Sequence, residues 1–165
     1  MPLISNGEVV ADNWNYLDDE FPLPSEGDVV LTLARLEREQ DAVARRTGKT
    51  GVELPNSADP EDLSAHLANI DLVILRFPAF TDGRAYSQAR VLRKRLGYEG
   101  EIRAAGNVLA DQAAFMIRCG FDSFETDGRQ PPELWRRAAR AVTRAYQRGY
   151  EPVGGLAVRQ GTAPG

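Results

Sequence analysis

Leu72-Val73-Ile74-Leu75-Arg76-Phe77-Pro78-Ala79-Phe80-Thr81-Asp82-Gly83-Arg84 is the stretch that decides the fold. Four consecutive apolar residues end abruptly in an arginine. A Pro/Gly loop follows, and then Ala85, Ala89, Leu92 and Leu96 recur at helical spacing over 85–96. An uninterrupted apolar run suits a strand covered on both faces of a parallel sheet. Strand, loop and helix in that order are the repeating unit of an α/β domain, whose ligands gather at the carboxyl ends of the strands.

The same alternation extends in both directions. Upstream, the spacing predicts a strand over 28–33, a helix over 34–46, a strand over 50–54 and a helix opened by Asp59 with Pro60 in its first turn. Downstream it predicts a strand over 101–105, an apolar helix over 110–119 stopped by Gly120, a strand over 121–125 and a last helix after Pro131-Pro132. Gly97 is the expected stop of the helix over 85–96. The expectation is an α/β fold: a mostly parallel sheet of four or five strands with alternating helices, either flavodoxin-like or half of a (β/α)8 barrel. A half-barrel leaves sheet edges that ask for a partner, so it carries the expectation of a homodimer.

Three segments are expected along the chain. Residues 1–27 are acidic and irregular, with a short strand pair around Ile4 and Val9-Val10. Residues 28–150 form one α/β domain, and 151–165 are a flexible tail rich in Gly, Ala and Pro. At 165 residues, 42% hydrophobic and 27% charged, the chain is of ordinary globular composition. It has neither an apolar run of membrane-spanning length nor the pattern of a signal peptide, which sets a cytoplasmic expectation.

Cys119 and His66 are the only cysteine and histidine. A thiolate-held cluster, a structural zinc and a multi-histidine metal site are therefore excluded within one chain, and no metal is expected. Cys119, at a helix C-terminus, reads as a buried structural thiol, because that end of the helix disfavours a thiolate. His66 reads as a surface or boundary residue. The net charge of −4 argues against general nucleic-acid binding. Charge is unevenly placed: the first 30 residues contain no Lys or Arg, whereas Arg136, Arg137, Arg140, Arg144 and Arg148 gather near the end.

The 76–84 loop is the leading candidate site. Arg76 and Arg84 offer planar forks for a carboxylate, phosphate or sulfur oxyanion. Thr81 and Gly83 lie between them, and Asp82 could orient an arginine or act as a base. The structural alternative is a turn at Asp82-Gly83, a helix cap at Thr81 or Asp82, and arginines paired with nearby acids. Arg103, in the next strand, is expected either in the same cleft or on an exposed edge. Asn107, Asp111 and Gln112 mark the next strand-to-helix junction, as caps or as ligand contacts.

Several motifs taken in order resemble a known family. Arg76-Phe77-Pro78-Ala79-Phe80-Thr81-Asp82-Gly83-Arg84-Ala85-Tyr86-Ser87-Gln88-Ala89-Arg90 is followed by Leu96-Gly97-Tyr98-Glu99-Gly100-Glu101-Ile102-Arg103-Ala104-Ala105-Gly106. Asp111-Gln112 and Arg118-Cys119-Gly120-Phe121-Asp122 come next. Over roughly 28–126 this resembles an uncharacterised bacterial family, the domain of unknown function 934. Its members are labelled as oxidoreductases of sulfite reduction, and Asn107 stands where the family pattern has Asp. The resemblance implies a role beside sulfite reductase. An oxidoreductase needs a redox centre, yet the sequence contains neither a G-x-G-x-x-G fingerprint nor a P-loop. Redox work would require a borrowed cofactor, such as a flavin, or a partner that carries the electrons; the cofactor stays unknown.

Three functions compete at this level. The favoured one is an accessory protein of assimilatory sulfite reduction, binding a sulfur oxyanion or the reductase through Arg76, Arg84 and Arg103. The second is a small enzyme with Asp82 as base. The third is a dimerisation module whose arginine-rich last helix meets an acidic surface such as residues 1–27.

Overall fold

The computed structural model describes residues 1–79 and 81–147. The expected tail, 151–165, lies outside the described residues, as do Phe80 and Arg148. Eight strands make one sheet: β1 Leu3–Ser5, β2 Glu8–Val10, β3 Asn15–Tyr16, β4 Val29–Thr32, β5 Thr50–Leu54, β6 Leu72–Phe77, β7 Glu101–Gly106 and β8 Ser123–Glu125. Their spatial order is β2-β1-β8-β7-β6-β5-β4-β3. Neighbours from β3 to β8 run parallel, and β1 runs antiparallel to both β2 and β8. The α/β class holds, but the sheet is mixed and eight-stranded, not a mostly parallel one of four or five strands.

The added strands come from the polar N-terminal segment. They are two or three residues long, too short to show a period of two. Their signal is a turn: Asn6 and Gly7 both adopt positive φ (52° and 80°), the backbone of a tight hairpin that Asn-Gly favours. The expected strand pair around Ile4 and Val9-Val10 is this hairpin.

Among the described residues five helices accompany the sheet: α1 Leu33–Arg38, α2 Gln40–Arg45, α3 Arg84–Arg90, α4 Ala113–Cys119 and α5 Pro132–Gln147. The helix expected over 34–46 is broken at Glu39 into α1 and α2. The segment after Asp59 forms two 3₁₀ turns, Pro60–Leu63 and Leu67–Asn69, because so short a stretch gives little cooperative gain to an α-helix. Asp59 still caps the first, accepting from the Glu61 amide at 2.9 Å. Past α3 the helix widens into a π turn, Val91–Arg95. Gly97 and Gly120 stop their helices with φ of 66° and 115°.

Strand register sorts the side chains into two faces. Val29, Leu31, Val52, Leu54, Val73, Leu75, Phe77, Ile102, Ala104 and Phe124 form one core with Leu36, Ala85, Ala89, Leu92, Met116, Trp135 and Val142 of the helices. The helices therefore cover one face, the outer one. On the inner face, Tyr16, Val30, Gly51, Leu72 and Glu101 lie in one row, and Thr32, Glu53, Ile74, Arg103, Ser123 and Ser5 in the next. β6 is buried on both faces, as its apolar run predicts.

The inner face is concave, and the chain itself shows this. Laid flat, eight strands would hold β2 and β3 about 34 Å apart. Only residues 11–14 connect them, and an extended chain covers about 18 Å from residue 10 to 15. The sheet must curl, and residues 11–14 strap its two edges together. Trp14 on this strap packs against Val30, Leu72, Ile74 and Ala105 of the inner face. Near the other edge α5 meets the hairpin: Arg136 donates to Glu8 at 2.9 and 3.2 Å, which joins the arginine-rich helix to the acidic N-terminal segment.

Candidate functional site

The charged cluster inside the curl is built by alternation on three neighbouring strands. β5 contributes Glu53, β6 Arg76, and β7 Glu101 and Arg103, each on the inner face. Arg103 is 1% exposed. Its guanidinium donates to the Tyr16 hydroxyl at 2.7 Å, to Asp12 Oδ2 at 3.2 Å, to Glu101 Oε1 at 3.2 Å and to Ser123 Oγ at 3.4 Å. Tyr16 in turn donates to Asp12 at 2.9 Å, and Ser123 donates to Glu101 at 2.6 Å. A hydrogen bond from β7 to β3, four strands away, exists only because the sheet curls.

Arg76 sits further along the same face, half exposed, in a two-toothed pair with Glu53; the longer contact is 3.3 Å. That pairing holds the Arg76 proton more tightly than usual, against a smaller effect of burial. Burial by itself would loosen the Arg103 proton, but Glu101, Tyr16 and Asp12 reverse the direction. The Tyr16 phenol is pushed up, first by burial, with Arg103 opposing. A phenol so raised is a weak acid at neutral pH.

The rim of the site is a separate group. Thr81 and Gly83 are exposed in the loop between β6 and α3. Asp82 accepts from the Arg84 amide at 3.0 Å and from its guanidinium at 2.8 and 3.2 Å. The side-chain and backbone donors of Arg84 hold the Asp82 carboxyl below its ordinary range. The carboxylate does the work of a turn and a helix start, and lowered basicity is the wrong direction for a general base. The loop is pinned from β7: Asn107 donates its backbone N–H to Phe77 O at 2.8 Å and its side-chain amide to Pro78 O at 2.7 Å. Gly106 makes this approach with φ of 89°, beside the Phe77 carbonyl, where a Cβ would collide.

Of the residues picked from sequence, Arg76 and Arg103 thus share the inner face. Thr81, Asp82, Gly83 and Arg84 form the rim, and among the described residues Asp82 and Arg84 pair with each other. Asp111 lies apart, exposed in the 3₁₀ turn Ala110–Gln112. A groove of about 340 Å³ runs beside the rim, lined in part by Asn56, Asp59, Arg84, Ser87 and Gln88. Gln88 donates to Pro55 O at 2.9 Å and Ala58 O at 3.0 Å and so ties the strand-end loop of β5 to α3.

Glu53 and Glu101 were legible as inward residues from the alternation in Val52-Glu53-Leu54 and Glu101-Ile102-Arg103. Asp12, Tyr16 and Ser123 had no local signal, since each reaches Arg103 or Glu101 by curvature or long-range pairing.

Another cluster lies outside the sheet. Tyr86 of α3 packs edge-on to Phe77, with ring centroids 5.0 Å apart, and meets Phe115 of α4 at 4.9 Å. Arg90 lies over the Phe115 ring at 5.6 Å. Cys119 is buried beneath, and burial pushes its thiol up, with Arg90 opposing. His66 is half-buried. Among the described residues no three or more His, Cys, Asp or Glu side chains cluster as a metal site, and no helix is long and apolar enough to cross a membrane.

No curated protein matches the chain. The sequence profile described as "bacterial protein of unknown function (DUF934)" does match, over residues 51–153. That span holds nearly all of β5, all of β6 to β8, the 76–84 loop, the Tyr86–Phe115 cluster and, of the inner cluster, Glu53, Arg76, Glu101, Arg103 and Ser123 but not Asp12 or Tyr16; it covers more than half of the chain and shows that the chain belongs to this family.

Proposed function

We propose that this protein is an accessory component that acts by binding another protein. On its family resemblance, the setting is assimilatory sulfite reduction and the partner is the reductase. One observation carries the choice of a protein over a small anion: the three arginines of the expected anion site already hold carboxylates. Arg76 is paired with Glu53, Arg84 with Asp82, and Arg103 with Asp12 and Glu101. Within the curl, Arg76 and Arg103 stand against Asp12, Glu53 and Glu101, a surplus of negative charge that opposes entry of an oxyanion. Asp82 is likewise committed, which disfavours the reading as an enzyme with Asp82 as base. On the fold, the curl and the chain-ordered parallel strands support the half-barrel over the flavodoxin-like sheet, whose strand order reverses.

Calorimetric titration of the full chain separates the readings. Binding of purified sulfite reductase without binding of sulfite or sulfate is the expected result. Binding of the oxyanion alone would return the function to Arg76 and Arg103. Turnover lost in Asp82→Asn would return it to enzyme chemistry. A homodimer is the second reading, and one observation favours it: the edge strand β2 exposes Val9 (57%) and Val10 (39%). A monomer in sedimentation at high concentration would remove it.

A further inference from the structure

We propose that the seam between α3 and α4 is the docking face, and that its partner is a protein surface carrying carboxylates around an apolar side chain. The inference deepens the accessory reading and rests on it only for the partner's identity. Phe115 is 45% exposed, an unusual degree for a phenylalanine that others hold in place. Its ring is fixed from below by Tyr86, which is itself braced by Phe77 and by Phe121 at a centroid distance of 6.4 Å. Arg90 lies over the same ring. An aromatic platform with an arginine laid across it, already rigid, has the chemistry of interface hot spots and loses little entropy on binding.

Charge selects the partner. Arg90 and the exposed Lys94, four positions on, stand in no ion pair among the described residues, whereas Arg84 and Arg95 are matched by Asp82 and Glu61. Asp111, in the Ala110–Gln112 turn, is the carboxylate that acts on Tyr86. The seam therefore has an unmatched cation, Arg90, beside an apolar ring, with the exposed Lys94 on the turn that follows it, which calls for an acidic surface with an apolar tip. The π turn Val91–Arg95 contributes to this. It sends Arg93 inward, onto Gly120 O at 2.8 Å and Asp122 at 2.7 Å, while Lys94 stays in solvent. Such turns recur at functional positions.

The test uses the full chain and two probes. The first is a short glutamate-rich peptide with one central leucine, followed by amide chemical shifts; the second is purified sulfite reductase. The peptide should perturb Tyr86, Arg90, Lys94 and Phe115, with affinity falling as salt rises. Arg90→Glu and Phe115→Ser should each weaken it about tenfold, and Phe21→Ser, an exposed phenylalanine elsewhere, should not. Unchanged melting curves would show that the variants fold. Shifts centred elsewhere, or variants that bind as the parent does, overturn the docking face. If the peptide binds at the seam and the reductase does not bind, the sulfite reading falls and the docking face stands. If the reductase binds equally to parent and variants, the reverse holds.

Discussion

The two faces of the curled sheet are made by the same strands and obey different rules. Outside, Leu75, Phe77, Ile102 and Ala104 meet helix side chains in a continuous apolar core. There each group contributes through area removed from water and through close packing. Inside, Arg103 is as buried as any leucine, but its neighbours are Asp12, Tyr16, Glu101 and Ser123. There a buried charged side chain is tolerated only while its counter-charge is present. The outer face survives any apolar residue of the right volume; the charged part of the inner face, unlike the apolar patch under Trp14, survives only in matched sets. Fold information is therefore concentrated outside, in a pattern a sequence displays, and specificity inside, in pairings it hides.

The sharpest way to break this contrast is Arg103→Met. It removes the cation and leaves Glu101 and Asp12 uncompensated, at a cost of about 3–5 kcal/mol in urea unfolding. Adding Glu101→Gln to that variant should return part of the loss. On the outer face no such rescue exists: Leu75→Ala should cost about 2–5 kcal/mol, and no second substitution of charge should recover it. If Arg103→Met and its Glu101→Gln double variant were equally unstable, the inner face would be governed by packing like the outer.

Tyr16→Phe is gentler. It removes the hydroxyl that accepts from Arg103 and donates to Asp12, for a loss of about 1–3 kcal/mol. Tyr16 also carries a pH signature. Its folded pKa is raised above the ordinary value of about 10, so stability tied to it is complete below that pH and is lost as pH rises beyond it. Tyr98, raised chiefly by burial, adds in the same direction. Tyr16→Phe should therefore flatten the alkaline limb of a stability–pH curve.

The smallest effect belongs to the rim. Asp82→Asn should leave the melting temperature unchanged at neutral pH, because its pair with Arg84 is solvent-exposed (Arg84 side chain 64%). What stability the carboxylate gives is present above the ordinary aspartate range and fades as pH falls, since its folded pKa is lowered.

Much of the outer face was legible. The apolar run at Leu72 to Leu75, the glycine stops at Gly97 and Gly120, and the proline start of α5 each state a local rule, and local rules survive folding. Arg103 as a strand arginine has two outcomes by sequence, the cleft of Arg76 or an exposed edge; it lies on the inner face with Arg76, sealed within the curl. The partners that seal it, Asp12 and Tyr16, lie about ninety residues away in sequence. Nothing in Asn13-Trp14-Asn15 announces a strap, because its role depends on the two sheet edges arriving on either side of it. The strand β3 was hidden for a related reason: two residues cannot show an alternation, and its pairing is set by β4.

That pairing has a consequence for synthesis. β1 is made first, but its partner β8 lies some 120 residues later. At ribosomal rates of about 5–20 residues per second, β1 waits roughly 6–24 s for the strand it completes. During that interval the N-terminal segment is a nascent chain without its sheet. Its seven carboxylates and absence of Lys or Arg in the first 30 residues keep it apart from other acidic chains while it waits. The closing of the sheet is thus a late event that waits for β8, and a strand made early is among the last to be paired.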